Sequence, residues 1–274
     1  MVTVPASTLA FFERFSRYNS PYAAHEHGRA IDLYPGMPWA PSPVAGEVVG
    51  TRTVGAPSRR YATDHDHLIL IDTGDRIARI LHVEPAVETG DWVEAGDSLG
   101  TLIRSGFFAP WVDGHVHLGF RTPDANPYRA SGSLPVEVGV DPRPVPWDGT
   151  GVVREAGETY VVLDEPTHPD PGSWAGLAGT PGVVLDGGCP HYEGGGVLPA
   201  ADRERLPVSI AGTRVGVAAG GDVVWDDVTL CANGQPVTGL SLFVARDAAF
   251  GAKIVRPDHH LAVGDRVDLS VRRG

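Results

Sequence analysis

The stretch Gly114-His-Val-His-Leu-Gly-Phe120 places two imidazoles one residue apart, with an apolar residue between them and another after them. Residues i and i+2 of a strand project from the same face, so as a strand this segment directs His115 and His117 into one pocket without any helix. The chain on either side reads the same way. Short apolar runs over residues 30–33, 46–51, 67–72, 76–83, 92–94 and 98–103 are separated by Pro-Gly, Thr-Gly-Asp and Ala-Gly-Asp turn signals, which predicts an all-β protein. One short amphipathic helix is expected over residues 7–18, with Leu9, Phe12 and Phe15 on its apolar side.

A theme of glycine, aspartate and then an apolar residue recurs at Gly90-Asp-Trp-Val93, Gly96-Asp-Ser-Leu99, Gly221-Asp-Val-Val224 and Gly264-Asp-Arg-Val267. Glycine supplies a left-handed turn residue, aspartate bonds back to the backbone, and the next residue starts a strand. The theme is architecture, a hairpin turn used four times. Prolines at 123, 127, 135, 142, 144 and 146 mark an extended connection. The expected layout is a β domain over 1–125, a proline-rich linker over 126–150 and a second β-rich domain over 151–274, whose strands include 151–155, 159–164, 182–186, 213–218, 223–230, 240–244 and 266–271.

Composition narrows the function. A formal net charge of −12 and a single lysine, Lys253, oppose the basic face that nucleic-acid binding needs. No apolar run approaches the ~18 residues of a membrane helix, and the first 18 residues lack a basic start followed by an unbroken apolar core. The expectation is a soluble, cytoplasmic protein without nucleic-acid or membrane partners. Cys189 and Cys231 are too few and too far apart for a disulfide framework or a cysteine zinc site.

Seven of the eleven histidines lie between positions 25 and 117, at 25, 27, 65, 67, 82, 115 and 117. A catalytic zinc takes three His or carboxylate ligands and keeps a fourth position for water; His27, Asp32 and His117 make such a set. His82, in the apolar run Ile80-Leu81-His82-Val83, and His115 would flank it and could move protons. Asp64-His-Asp-His67 has ligand chemistry but reads as a solvated loop, with the rim of the pocket as the other reading; Cys189-Pro-His191 could bind a metal or line the cleft but reads as a structural segment, and His259-His260 as an exposed turn.

Five parts follow one another in order: His27 with Ala30-Ile-Asp32, Ala40-Pro41 with Gly46-Glu-Val-Val49, Leu81-His82, the run Val87 to Gly100 with its two Gly-Asp pairs, and His115-Val-His117. In this order they resemble the zinc metallopeptidases of the lysostaphin and M23 type, over roughly residues 25 to 121. The resemblance implies a duplicated hybrid motif of β strands, Zn2+ held at His27, Asp32 and His117, and His82 with His115 as the catalytic pair. It also implies a peptide or peptidoglycan-like substrate. The spacing from His27 to Asp32 is one residue longer than the family's, so His25 is the other candidate for the first ligand. A module on the same fold that binds a metal, glycan or peptide without turnover is the alternative.

Overall fold

A computed structural model describes residues 1–274 except 181, 249 and 257–259, and side chains other than those of 202–204. His259 lies outside the described residues. The protein is almost entirely β and divides into two units, Met1–Phe15 with Tyr22–Val140, and Ser16–Pro21 with Asp141–Gly274. Among the described residues no helix is long and apolar enough to cross a membrane.

In the first unit, seven strands position the histidines: β1 (Ala30–Tyr34), β2 (Gly46–Gly55), β3 (His65–Asp72), β4 (Ile77–Leu81), β5 (Val83–Pro85), β6 (Ser98–Leu102) and β7 (Val116–Arg121). Five form an antiparallel sheet in the order β2-β3-β4-β7-β1. A smaller sheet pairs β6 with β5 on one side and with Trp39–Pro41 on the other. On the face of this sheet opposite Asp32 and His117, Ile31, Leu33, Ile69, Ile71, Ile80 and Leu118 are all fully buried. That burial stabilises by about 2 kcal/mol for each such side chain. It also fixes the register, because a slip of one residue would turn His117 and Asp32 to the opposite face.

The helix expected over 7–18 is confined to Ala6–Leu9. Leu9, Phe12 and Phe15 are buried as the pattern requires, but the Glu13 amide donates to the Tyr34 carbonyl at 2.8 Å and the chain continues as an extended segment, Arg14–Ser16. The Gly-Asp theme is a turn at three of its four places. Gly90, Gly96 and Gly264 have φ of 99°, 96° and 95°, and the aspartates after them accept the amides of Glu88, Glu94 and Ala262 at 2.8 Å. Gly221-Asp222 instead lies inside the strand Thr213–Trp225, where Asp222 accepts the Tyr18 hydroxyl. The proline-rich stretch 126–150 contains two short strands: Val136–Val138 pairs with Val2–Val4, and Arg143–Val145 pairs with Ala175–Thr180.

The second unit is built of antiparallel hairpins around a core that includes Leu163, Leu185, Val197, Val208, Leu230 and Ile254. Its longest strand, Gly194–Ile210, pairs with Val183–Cys189 and with Thr213–Trp225. The chain segment Ser16–Pro21 belongs to this unit, held by the fully buried Asp186. One Asp186 oxygen accepts the Ser16 hydroxyl at 2.5 Å and the other accepts the Arg17 amide at 2.7 Å. A Cβ built on Gly196 would stand 2.2 Å from the Tyr18 ring, and one on Gly195 the same distance from Trp225. Gly196→Ala is therefore expected to lower stability by about 1–3 kcal/mol through overpacking, measured as a lower denaturant midpoint; an unchanged midpoint would mean that the ring has room to move.

Candidate metal centre

The sheet register builds the site. His117 on β7 lies directly opposite Asp32 on β1 and opposite Leu81 on β4, and residues in direct register share a face. His115 shares that face, two residues earlier. His82 follows Leu81 and in a regular strand would point the other way. It instead has φ +72° at the corner between β4 and β5, and its ring lies 4.9 Å from that of His115 and 5.8 Å from that of His117, centroid to centroid. A bulky residue held in the left-handed region costs on the order of 1–2 kcal/mol, and such strain concentrates at functional positions.

Of the residues expected to bind metal, Asp32 and His117 come together and His27 does not join them. His27 is exposed, and its place is taken by the buried His25. The reason is local. His27 and Gly28 are consecutive left-handed residues, φ 56° and 62°, at the end of the short 3-10 turn Ala23–Gly28, which is kinked at Glu26 and His27 just before β1. The turn, with the His25 amide donating to the Tyr22 carbonyl at 2.9 Å, presents His25 inward and His27 outward.

His25 Nε2, His117 Nδ1 and Asp32 Oδ1 converge on one point: His117 to Asp32 is 2.9 Å, His25 to His117 is 3.1 Å and His25 to Asp32 is 3.2 Å. A tetrahedral zinc with bonds of ~2.0–2.2 Å sets its donors ~3.3–3.5 Å apart. The observed triangle needs only a few tenths of an ångström of side-chain adjustment. Three lone-pair donors this close, all buried, also repel one another unless a proton or a cation lies between them. The donor set fits a divalent metal, and His25, Asp32 and His117 are the residues that could hold it.

Charge states favour the same use. Burial by itself would raise the Asp32 carboxyl, but the electrostatic pull of His115 and His25 and hydrogen bonds from His117 and His25 hold it well below the usual carboxylate range. Burial, only partly offset by Asp32, pushes the His115 and His117 imidazoles down to about 4. Both are therefore neutral at pH 7, the form that binds metal or accepts a proton.

The other two imidazoles are held from behind. The His115 Nδ1–H donates to the Asp113 carbonyl at 2.9 Å, while Nε2 faces Asp32 at 3.5 Å. Phe108 stacks on the His115 ring at 4.6 Å and 12°, and Arg14 pairs with the Asp113 carboxylate at 3.1 Å. Asp66 grips His82 twice: Oδ1 accepts the His82 amide at 2.8 Å and Oδ2 the Nδ1–H at 2.5 Å.

Asp66 is the residue that sequence reasoning passed over, because Asp64 to His67 read as a loop whereas β3 begins at His65. Strand alternation through His65-Asp66-His67 was the signal that could have found it. Burial raises the Asp66 carboxyl, but the hydrogen bond and charge of His82 outweigh this and hold it at about 2. A carboxylate depressed from its ordinary 3.8 to about 2 contributes on the order of 2 kcal/mol. That contribution is complete above pH ~4 and is lost as pH falls through about 2. Asp66→Asn should flatten the acid limb of unfolding stability between those values, read from denaturant curves at several pH values. An identical limb in the two proteins would remove Asp66 from the account.

In the second unit, burial raises the Cys189 thiol to about 12 and lowers the His191 imidazole to about 4. Among the described residues these two do not belong to any metal-capable group.

Fold and site together define an all-β, two-unit protein with a buried His/His/Asp cluster in its first unit. Residues 3–138 match the N-terminal domain, and residues 143–272 the C-terminal domain, of the family described as Domain of unknown function (DUF8155), and the chain belongs to that family. No curated protein matches it. An NMR solution structure of lysostaphin is similar at 14% identity, over 86% of this chain and 89% of that one, with a TM-score of 0.28; a superposition so loose does not define a shared fold.

Proposed function

We propose that the first unit is a zinc-dependent metallohydrolase, of the M23 and lysostaphin kind, that cuts peptide bonds in a peptide or peptidoglycan-like substrate. The observation that carries this reading is the buried convergence of His25, Asp32 and His117 beside two further imidazoles whose outer nitrogens are already engaged. A zinc ion bound there supplies Lewis acidity toward a water and a carbonyl oxygen.

His25, Asp32 and His117 would hold the ion. Asp66 keeps the proton of His82 on Nδ1, which leaves Nε2 free to take a proton from the attacking water, and its charge stabilises the imidazolium that results. His115 stays neutral through burial, and with Nδ1–H tied to Asp113 its Nε2 accepts a hydrogen bond and orients that water. Phe108 fixes the plane of its ring. The proton on His82 then passes to the leaving amine.

The test combines elemental analysis for zinc with a hydrolysis panel of glycine-containing peptides and cell-wall cross-link fragments, run on the natural chain and on His115→Ala. Zinc retained in both, with cleavage only by the natural chain, supports the reading. A chain that holds no zinc defeats it. Zinc with tight binding and no cleavage anywhere on the panel points instead to a binding module on the same scaffold.

A further inference from the structure

The geometry that presents His115 and His117 on one face of β7 is repeated on β3. His65 and His67 are again i and i+2, and the residue between them, Asp66, points to His82. The two imidazoles therefore project from the opposite side of the strand. Glu84 on β5, two residues beyond His82, reaches that side and brings Oε2 to 3.0 Å from His67 Nε2. The His65 and His67 rings stand edge to face, 5.5 Å apart. One donor atom from each of His65, His67 and Glu84 lies within 4.8 Å of the others.

Asp64 Oδ1 lies 3.3 Å from His65 Nδ1. Thr53 Oγ1 lies 3.3 Å from His67 Nδ1, which engages the far nitrogen as a supporting group does behind a metal-ligating histidine. His67 Nε2 is shielded from water and makes no well-aligned hydrogen bond, although the Glu84 carboxylate is close enough to receive one. A shared proton would draw donor and acceptor into line, whereas a cation bonded to both does not require it. Glu84 is 56% exposed on its side chain and His65 42%, so an ion could enter from solvent.

We propose that His65, His67 and Glu84 form a second, solvent-accessible site for a divalent transition cation, with zinc as its natural fit. Two imidazoles and one carboxylate suit borderline metals and not calcium or magnesium, which take oxygen ligands. A metal here ties β3 to β5, strands that do not pair with each other, across the corner where His82 is held. The inference does not depend on the inner cluster or on catalysis.

The experiment strips the full chain with a chelator and measures zinc uptake by equilibrium dialysis in excess magnesium, alongside thermal unfolding with and without zinc. It compares the natural chain, His65→Ala/His67→Ala, Glu84→Gln and Asp32→Ala. The double variant should lose one equivalent of zinc and the rise in Tm that goes with it, while Asp32→Ala keeps that equivalent. Glu84→Gln, an exposed and conservative change, should weaken the same class of site at least tenfold. Should the natural chain bind a single equivalent that the double variant loses, the outer site stands and the inner reading fails. Equal uptake by the natural chain, the double variant and Glu84→Gln overturns the proposal.

Discussion

Alanine at position 25 should strip zinc from the inner cluster, and alanine at position 27 should leave it loaded. His25 Nε2 lies 3.1 Å from His117 Nδ1 and 3.2 Å from Asp32 Oδ1, so removing it deletes a third of the donor set. Loss of even a supporting group behind a metal ligand costs 10–100-fold in affinity, and loss of a ligand itself should exceed ~100-fold. His27 is exposed and outside the cluster. A competition assay with a chromophoric chelator separates the two variants, with the outer site removed by His65→Ala/His67→Ala so that a single class of zinc is read. Equal retention by His25→Ala and His27→Ala would contradict the assignment.

The second large effect is on turnover. His82→Ala and His115→Ala should each lower kcat/KM by ~10²–10⁴ while zinc stays bound, because both rings flank the donor triangle without belonging to it. Asp66→Asn should fall between these variants and the natural chain. An amide still accepts from Nδ1–H and so still orients the ring, but it lacks the negative charge of the carboxylate. If Asp66→Asn turned over at the natural rate, the carboxylate behind His82 would be structural only.

How far the sequence disclosed this arrangement can be judged residue by residue. The alternation of His115 and His117, and the apolar runs at 30–33, 67–72 and 76–83, are enough to mark the strands, because strand periodicity is rigid; that Asp32 meets His117 is implied by the resemblance alone, since periodicity does not say which strands pair. The third member of the cluster was not legible to the same degree. Whether His25 or His27 faces inward depends on φ at His27 and Gly28, a choice that neither hydrophobic pattern nor spacing records. His82 is a similar case, since its ring reaches the cluster only through a left-handed residue at a strand corner. The strand Gly194–Ile210 went unread because it opens on three glycines and includes Pro199 and Pro207, the usual marks of a loop. Two of those glycines are present because aromatic rings pack directly on the backbone.

The passage of Ser16–Pro21 into the second unit has a practical outcome. A gene cut at residue 141 would yield a back half whose Asp186 carboxylate has lost the hydroxyl of Ser16 and the amide of Arg17, and whose glycine at 196 has lost the Tyr18 ring packed on it. Dissection into freestanding halves should therefore yield a poorly behaved C-terminal fragment unless the hexapeptide is grafted back. A chain nicked near residue 141 should stay in one piece without its covalent join, because six residues of the front piece remain threaded into the rear one.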